Sequence, residues 1–139
     1  MSEPARREED RVHGVQRALA VIAALDAAFL MATAIHHAGW HTYLTGIALG
    51  TALPVLATPF FRRPYAFFGA CTAVAGWVGV CSLGLSVLGV FAFWPTAALL
   101  VAAALADPRR RPDGVWLICF FGVLPRLATV WAVVHWLTR

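Results

Sequence analysis

The chain has 139 residues, 60% of them hydrophobic and 13% charged, with a mean hydropathy of +0.73. Soluble domains average roughly 45–50% apolar and about 25% charged residues, so a water-soluble globule is excluded and bilayer helices are expected. The net charge of +4 comes from arginines clustered between apolar runs, which is the loop pattern of membrane proteins and argues against nucleic-acid binding.

Residues 1–17 read as a mixed-charge cytoplasmic tail, with Arg6, Arg7, Arg11 and Arg17 set against Glu3, Glu8, Glu9 and Asp10. The first apolar run, 18–38, reaches about 30 Å as a helix, the thickness of the hydrocarbon, and predicts the first span. After a link at Gly39-Trp40-His41-Thr42, a second run over 43–61 stops at Arg62-Arg63-Pro64. The next run, 65–106, would extend about 63 Å as one helix, twice what a bilayer covers, so it must fold back. Gly84 and Gly89 bracket Leu85-Ser86-Val87-Leu88, and glycine turns the backbone most cheaply, which predicts helices over 65–84 and 89–106. A polar loop over 107–114 carries Pro108 and Pro112, neither able to continue a helix, and 115–137 completes the set.

The expected fold is an all-α membrane protein, a five-transmembrane-helix bundle with residues 18–139 as a single transmembrane domain. Its N-terminus is cytoplasmic and its C-terminus outside. This orientation puts Arg6, Arg7, Arg11, Arg17, Arg62, Arg63 and Arg109 to Arg111 on the inner side, where basic loop residues accumulate. Trp40, Tyr43, Trp94 and Trp136 then fall at outer ends, and Phe60, Phe61, Tyr65 and Trp116 at inner ends, as interfacial rings prefer. The expected location is the cell inner (plasma) membrane, as a multi-pass protein. The eleven basic residues are all Arg, which beside abundant Ala reads as the codon bias of a GC-rich bacterial genome. Ala32-Thr33-Ala34 resembles a signal-peptide cleavage site, but Asp26 inside the apolar stretch and the net-neutral leader argue against cleavage.

Two charges remain within the apolar runs, Asp26 and Arg126. Each costs roughly 2.5–3.5 kcal/mol at a helix centre if left alone, so each should face protein or water and find a partner. At helical rise both lie about 12–17 Å from the inner boundary, so they are candidates for each other. Pro125 beside Arg126 removes a backbone hydrogen bond and suits either a kink or a site. Thr33 and His37 extend a polar stripe from Asp26 along the first helix. In the fifth helix, Cys119, Gly122, Arg126, Thr129 and Val133 share a face expected to turn toward the first.

Histidines cluster outside, with His36, His37 and His41 at one helix end and His135 near another. Imidazoles ligate metal or haem iron, but no carboxylate and no metal-site motif accompanies them, so interfacial polar contacts are the simpler reading. Cys71, Cys81 and Cys119 lie unpaired in apolar runs and read as packing residues. Gly46 and Gly50 form a G-x-x-x-G, and with Gly76 and Gly79 they are the candidate close-packing positions. No phosphate loop, nucleophile elbow or carboxylate pair is present, so an enzyme would need its whole site within the bilayer.

The expected function is an accessory or scaffold component of a membrane complex. Its partners would be the lipid bilayer and a membrane protein or further copies of itself. A small oligomeric transporter or channel using Asp26 is the alternative, and a haem-binding electron-transfer subunit the weaker one.

Overall fold

The computed structural model describes the backbone of residues 11–38, 43–84, 86–107 and 115–139. Within these, it describes the side chains of all but 37–38, 44, 86–91, 132–133 and 136–137. Five α-helices make up the described residues: α1 (Gly14–Ala38), α2 (Tyr43–Ala57), α3 (Pro64–Gly84), α4 (Ser86–Leu105) and α5 (Val115–Leu137), with a 3₁₀ turn over Thr58–Phe60. There is no strand among them. The expected tail over 1–10, the Gly39 to Thr42 link and the 108–114 loop lie outside the described residues.

Helix α1 begins four residues before its apolar run because a cap, not hydropathy, starts it. The Val15 N–H donates to His13 Nδ1 at 3.3 Å, and the His13 N–H donates to Gln16 Oε1 at 3.3 Å. This is a reciprocal capping box with histidine in the place usually taken by Ser or Thr. Gln16 is buried and its Nε2 donates to the Ala104 carbonyl at 3.4 Å, which ties the start of α1 to the end of α4. Those two ends therefore lie on one side of the molecule.

Helix α2 tightens into the 3₁₀ turn where Pro59 has no N–H to give the Val55 carbonyl. The buried Thr58 hydroxyl donates to that carbonyl instead, at 2.7 Å. Pro64 then opens α3 at the first helical position, where the missing N–H costs nothing. Helix α3 ends at Gly84 and α4 already begins at Ser86, so Gly89 lies inside α4 and not at its start. Trp94 is consequently well within α4, about 12 Å from its first residue, and is no end-of-helix anchor.

Helix α4 is the centre of the bundle, packed against α3, α1 and α5, while α2 packs on α1. Among the described residues α5 packs on α4 and not on α1, and of the face expected to turn toward the first helix Gly122 meets α4 while Arg126 reaches Asp26 of α1. What brings α5 close to α4 is Gly122. A Cβ there would stand 3.1 Å from the Ala98 Cβ and 3.4 Å from the Pro95 carbonyl oxygen. The other glycines expected at helix crossings, Gly46, Gly50, Gly76 and Gly79, have nothing within 4 Å of a Cβ, so they mark no close approach among the described residues. The Gly50 carbonyl instead accepts from Trp77 Nε1 at 3.0 Å, joining α2 to α3.

The interior is built from small residues. Ala20, Ala23 and Ala27 of α1, Ala52 of α2, and Ala102 and Ala103 of α4 are fully or almost fully buried, whereas Leu25, Phe29, Tyr65, Trp116 and Trp131 are exposed. Small residues let helix backbones approach closely where apolar burial gives no drive, as between helices in lipid. Two helices, over Gly14–His36 and Pro64–Gly84, are long and apolar enough to cross a membrane. The described apolar stretches of the others, Thr45–Phe60, Ala92–Leu105 and Val115–Trp131, are shorter.

Candidate functional site

The site is a junction of three helices around one carboxylate. Asp26 comes from α1, where its side chain is 10% exposed, and Arg126 from α5, where its side chain is 16% exposed. Arg126 Nε stands 2.7 Å from Asp26 Oδ1, and Arg126 Nη2 donates to Asp26 Oδ2 at 3.0 Å. The first of these contacts is Coulombic, because the buried Nε N–H is not aimed at an acceptor. The second is the directional bond.

Helix α4 lies between the two charges and supplies the rest of their partners. The buried Thr96 hydroxyl donates to Asp26 Oδ2 at 2.5 Å, and Arg126 Nη2 also donates to the Ala92 carbonyl at 2.5 Å. Pro95 explains part of this arrangement, since a proline inside a helix disturbs the preceding turn and loosens its carbonyls from the ladder. Gly122 explains the rest. One turn before Arg126, it brings α5 close enough to α4 for the guanidinium to reach across to α1.

In a low-dielectric interior each charge alone would be costly, and mutual attraction offsets that cost only when further hydrogen bonds complete the set. Asp26 Oδ2 accepts two such bonds, from Thr96 and Arg126, while Oδ1 has the ion contact with Arg126 Nε. The arrangement joins α1, α4 and α5 through one set of polar contacts, and a buried ion pair of this kind adds little net stability over an apolar replacement. Thr96→Val should lower the unfolding free energy by about 1–2 kcal/mol, because it removes a hydrogen bond to an ionised group while keeping the side-chain shape. Denaturant titration in mixed micelles measures this, and a change within experimental error would remove Thr96 from the site.

Thr96 and the Ala92 carbonyl are absent from the sequence reading. A signal for Thr96 was present: it lies about 14 Å from the Leu105 end of α4, within the 12–17 Å at which the sequence places Asp26 and Arg126 from the ends of their own helices.

The other candidate residues do not converge here. The Thr33 hydroxyl donates to the Phe29 carbonyl of its own helix at 2.8 Å, and the exposed Thr129 hydroxyl donates to the Pro125 carbonyl at 2.7 Å. His36 is exposed, while the His37 side chain, His41 and the Val133 side chain lie outside the described residues. His135 is exposed and stacked on Trp131, with ring centroids 5.3 Å apart and planes 3° from parallel. Among the described residues no three His, Cys, Asp or Glu side chains gather as a metal site would require. Cys71 is buried, Cys81 and Cys119 are half-buried, and all three thiols are free.

No protein family, no curated protein and no solved structure matches the chain.

Proposed function

We propose that the chain is a small multi-pass protein of the cell inner membrane, with five spans, a cytoplasmic N-terminus and an outer C-terminus. In this reading it serves as an accessory or scaffold component of a membrane complex, and the Asp26–Arg126 pair is a structural clasp. The observation that carries it is the buried pairing of Asp26: Oδ2 accepts from both Arg126 and Thr96, and Oδ1 lies in the 2.7 Å ion contact with Arg126 Nε, which suits a joint between helices better than a site for a passing ion. Supporting the orientation, the Gln16–Ala104 bond sets the Arg17 end of α1 beside the Leu105 end of α4, and the arginine-bearing loop over 107–114 follows directly. Large exposed apolar side chains along every helix but α4's core face suit lipid or partner helices.

A second reading, a small oligomeric transporter or channel with Asp26 as its ionisable site, draws on the buried Arg126 Nε N–H that lacks an acceptor. Extraction in mild detergent, followed by identification of what co-purifies, separates the two. A scaffold is expected to bring a membrane protein with it in fixed ratio. A chain that purifies without one, and whose ion flux in proteoliposomes is abolished by Asp26→Asn at unchanged abundance, would overturn the scaffold reading in favour of transport.

A further inference from the structure

Histidine is an uncommon choice for the residue that caps α1. Ser, Thr, Asp and Asn lead at this position, and their oxygens go on accepting throughout the physiological pH range. An imidazole accepts only while it is neutral. The Val15 N–H donates to His13 Nδ1 at 3.3 Å, so Nδ1 holds the lone pair and the proton of the neutral ring is on Nε2. A second proton, taken from solvent, binds at Nδ1. It turns the acceptor into a donor that meets the Val15 N–H, and it sets a positive ring at the positive end of the helix dipole.

One side-chain amide joins this cap to the rest of the bundle. Gln16 is buried, its Oε1 accepts from the His13 N–H at 3.3 Å, and its Nε2 donates to the Ala104 carbonyl at 3.4 Å. Gln16 lies in the first turn of α1, so it keeps both bonds only while that turn is wound.

The charged groups around this end come from three elements. Arg11 and Arg17 flank His13 on its own segment, Asp107 follows α4, and Arg62 and Arg63 follow the 3₁₀ turn that packs on α1. Arginine and aspartate side chains ordinarily hold their charge between about pH 5 and 8, whereas imidazole changes its charge there. His36 and His37 stand at the other end of α1, and His41 follows them in sequence. His135 is near the end of α5 that lies away from Ala104, because Gly122 meets Ala98 and Arg126 meets Ala92. Among the described residues, His13 is therefore the imidazole of this end.

We propose that His13 is a pH-sensitive catch. Neutral, it winds the first turn of α1 and holds that end on α4 through Gln16. Protonated, it unwinds the turn and releases the end of α1 from Ala104. The cap is present above the pH range of imidazole protonation and is lost as the pH falls through it. The neighbouring fixed charges bear on where in that range the ring takes its proton, not on which form caps the helix. The catch lies before the apolar run and acts whatever the chain assembles with.

Amide hydrogen exchange of the full chain in lipid nanodiscs tests it, at about pH 7.5 and about pH 5.5, with each rate divided by the intrinsic rate at that pH. The reporter is the Arg17 N–H, which donates to the His13 carbonyl at 3.1 Å in the first turn. The wild-type chain is expected to lose about five- to thirtyfold of its protection at the lower pH, the size of effect that follows from losing one helix cap. His13→Ser caps at either pH and is expected to keep its protection at both, whereas His13→Ala is expected to lack it at both. Nitroxides on Ala18→Cys and Leu105→Cys, both exposed positions, read the release, with Cys71→Ala, Cys81→Ala and Cys119→Ala removing the native thiols. One narrow distance is expected at the higher pH and a broad distribution at the lower, with Gln16→Leu broad at both.

Equal wild-type protection at the two pH values would overturn the catch, and so would the same acid loss in His13→Ser, which would assign the change to another group. A narrow distance at both pH values would overturn it as well, because the cap would then open without letting go of α4.

Discussion

Asp26→Leu alone is expected to destabilise the chain by about 3–5 kcal/mol, the usual cost of leaving one partner of a buried ion pair behind. The charge left behind is Arg126, 16% exposed, with the Ala92 carbonyl as its remaining hydrogen-bond acceptor among the described residues. Thr96 would lose its acceptor at the same time and become a buried hydroxyl without its partner. The loss should appear both as reduced membrane-inserted abundance and as an earlier unfolding midpoint in denaturing detergent. Asp26→Asn should cost less, because the amide oxygen still accepts from Thr96. If Asp26→Leu left both readouts unchanged, the carboxylate would have no part in holding α1, α4 and α5 together.

The second large effect is expected at a residue with no functional group. Gly122→Leu should cost about 1–3 kcal/mol through overpacking alone, because even a Cβ would come 3.1 Å from the Ala98 Cβ and 3.4 Å from the Pro95 carbonyl. Helix α5 must move away from α4 to admit the side chain. That movement lengthens the reach from Arg126 to Asp26, so the substitution also weakens the clasp from a distance. Gly46→Ala provides the contrast: with open space around its Cβ, it should be neutral or stabilise by about 0.5–1 kcal/mol through helix propensity. Thermal unfolding of the two variants side by side measures both signs. Equal behaviour would show that the α4–α5 crossing does not depend on Gly122.

The positions of the helices were largely legible in the sequence, because hydropathy and the Arg- and Pro-rich breaks mark where apolar helices begin and stop. Their exact starts were not. Helix α1 begins at a His13–Gln16 cap in a polar segment, and hydropathy carries no signal for that. Asp26 and Arg126 stood out as charges within apolar runs at similar depth, and the structure places them 2.7 Å apart.

The order of the helices around the core was hidden. With alanines inside and leucines and aromatics outside, no helix shows the polar and apolar faces that reveal packing in a soluble bundle. The central helix α4 is the most apolar of the five, but with no polar face to contrast, that composition does not say which helices surround it. Glycine was misleading for the same reason. Gly46 and Gly50 match a packing motif yet face open space, while Gly122, which belongs to no motif, makes the close crossing.

The central claim is that Asp26 and Arg126 act as one structural unit, and a double-mutant cycle tests it most directly. Unfolding free energies of the wild-type chain, Asp26→Leu, Arg126→Leu and the double variant give the coupling between the two sites. A clasp predicts that each single change is costly and that the second recovers much of the loss, with a coupling above about 1 kcal/mol. Additive losses, with a coupling within about 0.5 kcal/mol of zero, would contradict it.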